Sequence, residues 1–199
     1  KILRKKKDNR IKLEFNRLKK YQKMIKFVYQ NEPKGTGDAI LKCKNFVKGS
    51  HFLVLLPDDL IIKKNCTREM LKLYSRFKSS VIATKKVNKK TLSRWGILSV
   101  KNKRKDHFEI TNVVEKPKLS QAPSNYAIIG RYILSTNIFK NLQNLKPGQG
   151  GEIHITDAIR NLIFENEKFI ANIFKGKYLD CGTLDGYIKS SIEISKVKK

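Results

Sequence analysis

The sequence predicts an α/β fold, a mixed and mostly parallel sheet flanked by helices. Two observations carry that expectation. The stretch FLVLLPDDLI, Phe52 to Ile61, is a continuous apolar run that ends at Pro57 and two adjacent carboxylates, Asp58 and Asp59. A run of this kind bounded by turn formers reads as a buried strand, most often central in a parallel sheet. Around it, strand and helix patterns alternate in the order strand, helix, strand, helix, strand, which is the signature of βαβ crossovers.

The elements follow in order. Leu18, Tyr21 and Ile25 form a helical stripe, predicting a basic helix over 10–24 and an N-terminal segment 1–24 distinct from a domain over 25–199. Phe27 to Tyr29 reads as a short strand. QNEPKGTGDAI, Gln30 to Ile40, is a glycine loop entering a helix that Asp38 caps and that runs through Phe46. After the central strand, Thr67 is the expected cap of a helix carrying Met70, Leu73, Tyr74 and Phe77 at helical spacing. Ser80 to Thr84 is a β-branched strand. Trp95 to Val100 and Phe108 to Val114 form a hairpin across a lysine-rich turn, and Pro117 stops the second strand. Ala127 to Leu134 is a strand interrupted by Gly130, a sign of close approach by a ligand or backbone, or of a bulge. Helices follow from Thr136 to about 145 and from Ile153 to Phe164. A strand spans Phe169 to Phe174, and a short strand in YLDCGT ends at Asp180 before a last helix over 185–197.

Composition narrows the function classes. The chain has 199 residues, is 40% hydrophobic and has a formal net charge of +27, which suits one domain with a real core. No run of apolar residues is long enough to predict a membrane span, and no leader is recognised. Cys43, Cys66 and Cys181 form no CxxC and no metal pattern, so reduced thiols and a cytoplasmic setting are expected. The positive charge comes mostly from lysine spread along the whole chain together with abundant isoleucine and asparagine. With no finger spacing, basic zipper or RNA-recognition motif, this reads as compositional habit with weak, non-specific binding to nucleic acid.

The chemistry suggested by the residues alone is limited. Ligands in open α/β sheets bind beyond the carboxyl ends of the strands. Asp58 or Asp59 there could hold a divalent cation, or could simply close a turn. Asp180 is a second acid at an element boundary, and Asp58 and Asp180 brought together would make a Mg²⁺ site completed by phosphate oxygens and water. The glycine loop at Gly35 can admit a nucleotide but is not a Walker loop. Glu115 and Lys116 fall on alternate sides of a strand end, as ordinary surface residues do. His154 has no visible nucleophile or base partner and reads as structural.

Taken as an ordered set, QNEPKGTGDAI, LLPDDLI, WGI, VVEKP, APSNYAIIGRYIL, GGEIHITDAI and LDCGTLDGY resemble the bacterial UTP–glucose-1-phosphate uridylyltransferases of the sugar-nucleotidyltransferase family over roughly residues 25 to 195. The resemblance implies a Rossmann-like core and transfer of a uridylyl group from UTP to glucose 1-phosphate, giving UDP-glucose and pyrophosphate without a covalent intermediate. It implies that Gln30 and Gly35 contact the uracil side. It makes Asp58 the principal Mg²⁺ ligand, with Asp180 the second. Gly96 and Gly130 become backbone approaches to the sugar. Glu115 would bind sugar hydroxyls, and Lys116 the sugar phosphate. A homo-oligomer is also implied.

The sequence departs from the family at Thr36, Asp38 and Trp95. Nothing in Lys1 to Tyr29 matches the family's opening strand and its glycine-rich loop that grips the triphosphate. The expectation is therefore an N-terminally truncated domain, and one reading is that it is part of a longer or split enzyme that a second polypeptide would complete. The alternatives are an inactive remnant, or a basic anion- or nucleic-acid-binding protein on the same scaffold.

Overall fold

The structure is a computed structural model that describes residues 9–197. It divides into two compact units, Lys1–Asn31 and Glu32–Lys199. In the first, helix α1 spans Asn9–Met24 and buries no residue. Its sequence mixes basic residues with exposed apolar ones such as Leu13, Leu18 and Tyr21, and its one acidic residue, Glu14, is ion-paired to Arg17 at 3.3 Å. The strand expected at 27–29 does not form. A strand exists only where a neighbour accepts its ladder bonds, and the described residues of this unit offer none.

The second unit is a mixed α/β domain, as expected. Its elements run α2 (Thr36–Lys42), β1 (His51–Leu55), β2 (Asp59–Ile62), α3 (Cys66–Phe77), β3 (Ser80–Lys86), β4 (Gly96–Lys101), β5 (His107–Glu115), β6 (Tyr126–Ser135), α4 (Ile138–Asn144), α5 (Ile155–Phe164), β7 (Phe169–Ile173), β8 (Lys177–Asp180) and α6 (Leu184–Ser195). Six strands form one sheet in the order β1-β6-β3-β7-β5-β4, and β2 and β8 form a separate two-stranded ribbon. β4 also meets β6 through Ile97 and Ala127.

The strand directions correct the expectation of a mostly parallel sheet. Among the described residues, only β3 and β7 pair in parallel, and the other pairings in the sheet are antiparallel. The cause is β6. β1 and β3 point the same way, as a βαβ unit requires, but β6 inserts between them and pairs antiparallel with both. A later strand entering an earlier crossover leaves no local signal in the sequence.

The same insertion moves β1 to the edge. Leu53 and Leu55 are 40% and 50% exposed, while Phe52 and Val54 pack on the core. The central strands are β3, β6 and β7. Residues along β6 alternate between two packed layers. Ile128, Tyr132 and Leu134 meet the layer of α2, α4 and α5, whereas Ile129 and Ile133 meet the layer of α3.

Three caps differ from the expected ones. α2 starts at Thr36 with Gly35 at its N-cap and ends at Lys42, so Asp38 lies in its first turn, and residues 44–46 form a 3-10 turn. Here a backbone carbonyl does the capping, since Ile153 O accepts from Gly37 N at 2.8 Å. Asn65, not Thr67, caps α3 by accepting from Arg68 N at 2.9 Å. α4 begins at Ile138 after Asn137. Among the described residues, no helix is long and apolar enough to cross a membrane.

Edge and centre should respond differently to truncation. Leu134 is fully buried and Leu55 half exposed. Urea unfolding should show Leu134→Ala costing about 2–5 kcal/mol, and Leu55→Ala about 1 kcal/mol or less. Equal losses would contradict the edge position of β1.

Candidate active site

The site is built where β1 ends. Leu56 is held on both sides: its N–H donates to Gly130 O at 2.8 Å, and its carbonyl accepts from Arg131 Nη1 at 2.6 Å. Pro57 and Asp58 then turn the chain into β2. The β2–β8 ribbon pairs Asp59 with Asp180, and Cys181 N donates to Asp58 O at 2.8 Å. The ribbon thus brings together two acidic segments about 120 residues apart in sequence.

Asp58 and Asp180 face a common space. A Cβ added to Gly182 would lie 3.0 Å from Asp58 Oδ2 and 3.3 Å from Asp180 Oδ1. Asp180 Oδ1 accepts from Gly182 N at 2.9 Å, and Arg94 Nη2 lies 3.4 Å from its Oδ2. Among the described residues, no group of three or more His, Cys, Asp or Glu side chains is arranged to hold a metal ion by itself. Two hard carboxylates fit a divalent cation whose remaining ligands are phosphate oxygens and water.

Asp59 does something else. Its Oδ2 accepts from Gly130 N at 2.7 Å, and its Oδ1 accepts a very short bond from the Tyr178 hydroxyl. It anchors the ribbon to β6. Burial pushes the Asp59 carboxyl above its ordinary value, although the bonds from Tyr178 and Gly130 pull it down. Gly130 has no room for a side chain, because an added Cβ would meet the Asp59 carboxylate and come within 2.6 Å of Leu56 Cβ. The close approach that glycine signals is made here by the protein's own residues.

A cavity of about 160 Å³ adjoins this anchor, lined by Gly96, Glu115 and Gly130 together with Thr36, Arg94 and Thr156. Gly96 pairs with Glu115 across the β4–β5 hairpin, and its missing Cβ makes room for Thr156 Cγ2 and Glu115 Oε2. Thr156, buried in the first turn of α5, donates to Glu115 Oε2 at 3.0 Å. Lys116 leaves the strand with φ +42° immediately before Pro117, a conformation unusual for a residue with a side chain. Its N–H donates to Trp95 O at 3.0 Å, and its Nζ lies 3.9 Å from Glu115 Oε1. Residues at alternate positions of a strand end need not face the same place, but Glu115 and Lys116 come together here. Strained residues of this sort concentrate at functional sites.

Cations and acids alternate around the site. Lys85 Nζ stands 4.5 Å from the centre of the Tyr178 ring, its ammonium depressed by burial and supported by Asp180 and Asp59. The Trp95 ring meets Tyr178 edge-on at 5.9 Å, and the Trp95 indole N–H is buried without a partner among the described residues.

Gly35 lies apart from the cavity lining. It holds φ +96° and sits against Ile153, which docks the glycine loop onto the start of α5 and places Thr36 at the cavity. Gln30 belongs to the other unit. His154 is buried at the N-cap of α5, with Glu152 Oε2 3.8 Å from its Nδ1.

Sequence reading missed Thr156, Arg94, Tyr178 and the anchoring role of Asp59. Only Tyr178 carried a usable signal, since it stands two residues before Asp180 and two strand neighbours share a face.

Because folding raises the Asp59 pKa, the folded chain holds this proton more tightly than the unfolded chain. Its contribution to stability is therefore greatest at low pH and is lost as pH rises from the ordinary value of 3.8 through the folded value. Urea titrations between about pH 3.5 and 7 should show wild type losing stability relative to Asp59→Asn with rising pH. A constant difference would rule this out.

A sequence model of the nucleotidyl transferase family matches residues 1–197. The UTP–glucose-1-phosphate uridylyltransferase of Pseudomonas aeruginosa is 39% identical over 168 residues, covering 83% of this chain and 60% of that protein. The enzyme of the same name from Streptococcus pyogenes is 37% identical over 175 residues, covering 85% and 57%. The chain thus spans about 60% of the length of the curated relatives it matches. A UDP-glucose pyrophosphorylase crystallised with UDP-glucose superposes with a TM-score of 0.84 at 36% identity, over 94% of this chain and 74% of that one. The UTP-bound enzyme from Acinetobacter baumannii superposes at 0.74 with 29% identity, over 92% and 66%. Motif order, a matching sheet and a family model spanning nearly its whole length agree: this chain belongs to the nucleotidyl transferase family.

Proposed function

We propose that this chain carries the site for UDP-glucose formation from UTP and glucose 1-phosphate. The observation that carries the reading is convergence. Gly96, Glu115 and Gly130, from three separate sequence blocks, line one cavity, and the acids of two further blocks meet at Gly182 beside it. The names of the relatives agree with it.

In the reaction, a phosphate oxygen of glucose 1-phosphate forms a bond to the α-phosphorus of UTP. The bond from that phosphorus to the bridging oxygen breaks, and pyrophosphate leaves with the electron pair. Such transfer depends on positioning and on neutralising charge. Lys116 reaches the phosphate of the sugar with a compact ammonium on a flexible stem. Glu115, with one oxygen held by Thr156, accepts from sugar hydroxyls. Gly96 and Gly130 let the sugar approach the backbone. Gly35 serves the uracil. Asp58 and Asp180 hold a divalent cation, proposed as Mg²⁺, which when bound neutralises phosphate oxygens. The cysteines among the described residues are all free, in keeping with a cytoplasmic setting.

The test follows pyrophosphate release from UTP, glucose 1-phosphate and Mg²⁺. It uses the chain alone and the chain mixed with the part of a relative that lies outside the matched segment. Turnover should fall about 100-fold or more in Asp58→Asn and in Lys116→Ala, with unchanged thermal unfolding. Thr156→Val should raise the KM for glucose 1-phosphate while Thr156→Ser restores it. Turnover indifferent to Asp58 and Lys116, or neither turnover nor UDP-glucose binding in both arms, would overturn the proposal.

A further inference from the structure

A cavity of about 690 Å³ lies away from the candidate active site. It opens between the C-terminal end of α3, the turn of the β4–β5 hairpin and the start of β7. β3 and β7 begin here, with Ser80 beside Phe169, whereas Lys85 of the candidate site lies near the far end of β3. The two cavities therefore sit at opposite ends of the same strand.

Four cations line this second cavity: Arg76, Arg104, Lys105 and Lys168. Among the described residues, none of the four has a carboxylate within ion-pair distance. The two acids in the lining are already engaged. Asp106 bonds His107 Nδ1 at 2.8 Å, and Glu109 accepts from Asn102 at 2.8 Å and pairs with Lys101 at 3.2 Å. Both carboxyls are held below their ordinary values, chiefly by those hydrogen bonds.

Two of the cations are also placed by a ring. The Arg76 guanidinium lies 5.0 Å from the centre of the Phe77 ring and the Lys168 ammonium 5.3 Å from it, while the His107 ring packs on Phe77 at 5.0 Å. Cation–π contact places both charges close to one ring, and Arg76 and Lys168 each also help to lower a neighbouring carboxyl, Asp106 and Glu109 respectively. Like charges gathered this way repel, and an anion with several charged groups relieves that repulsion for more than one of them at once.

We propose that this cavity binds an oligophosphate, a chain of two or more phosphoryl groups, either free or carried on a nucleoside. Arg76 and Lys168 grip it from the Phe77 side, and Arg104 and Lys105 from the hairpin. The site stands whether or not the transferase site turns over.

Calorimetry with inorganic triphosphate at about 150 mM salt separates this site from the diffuse charge of the chain, because the Debye length there is about 8 Å. Arg76→Ala/Lys168→Ala should remove one binding event or weaken it about tenfold or more. Arg104→Ala/Lys105→Ala should also weaken it. Lys48→Ala/Lys146→Ala removes the same charge at exposed positions outside both cavities and should leave it within about twofold. UTP should bind this cavity with the affinity of triphosphate, since phosphate is the group recognised. Equal weakening by all three double variants, no weakening by either cavity pair, or binding of UTP but not of triphosphate would overturn the proposal. All the substituted side chains are exposed, and thermal unfolding of each variant checks that the fold is retained.

Discussion

The second unit depends on one half-buried carboxylate. Asp59 takes a hydrogen from the Gly130 amide in the longest strand of the sheet and another from Tyr178 in the two-stranded ribbon. Without that junction, the ribbon would be tied to the sheet mainly by apolar contacts such as those of Ile61 and Tyr178 on the α3 layer. With it, the turn at Pro57 is set and Asp58 and Asp180 come to face the same point. A half-buried carboxylate is expensive unless hydrogen-bonded, and its bonds here cross between separate pieces of structure. The positions that need glycine follow from it, because Gly130 gives Asp59 its seat and Gly182 leaves the space between Asp58 and Asp180 open.

Around that junction the electrostatics are mixed on a fine scale. Arg94, Lys85 and Lys116 stand among Asp58, Asp59, Asp180 and Glu115. The transfer proposed for this site would move negative charge from one phosphate to another and would need both signs close at hand, acids to hold a cation and bases to hold the phosphates. The strain at Lys116 serves this arrangement. A residue that continued the strand normally would point away from Glu115, and its positive φ, braced by the bond to Trp95 O, brings the ammonium back to the same side.

The +27 charge is not spread evenly in effect. Many lysines are simply solvated, and β1, an edge strand of the sheet, carries no lysine. The hairpin turn between β4 and β5, the end of α3 and the start of β7 instead gather cations at one cavity, two of them on an aromatic ring. Composition alone described both situations with one number. Geometry separates them.

Several features were legible in the sequence because their causes are local. Helical spacing marked α3, the lysine-rich turn between two β-branched runs marked the β4–β5 hairpin, and Pro117 marked the end of β5. The ordered blocks identified the family and named Gly96, Glu115 and Gly130, which share one cavity, and Asp58 and Asp180, which share another point. What only the tertiary structure decided has non-local causes. β6 enters between β1 and β3, which makes the sheet largely antiparallel and puts an apolar strand at its edge. Thr156 reaches Glu115 from 41 positions away, and Tyr178 reaches Asp59 from 119. Periodicity and turn chemistry act over a few residues, so they specify elements; which carboxylate a hydroxyl finds is set by how those elements pack.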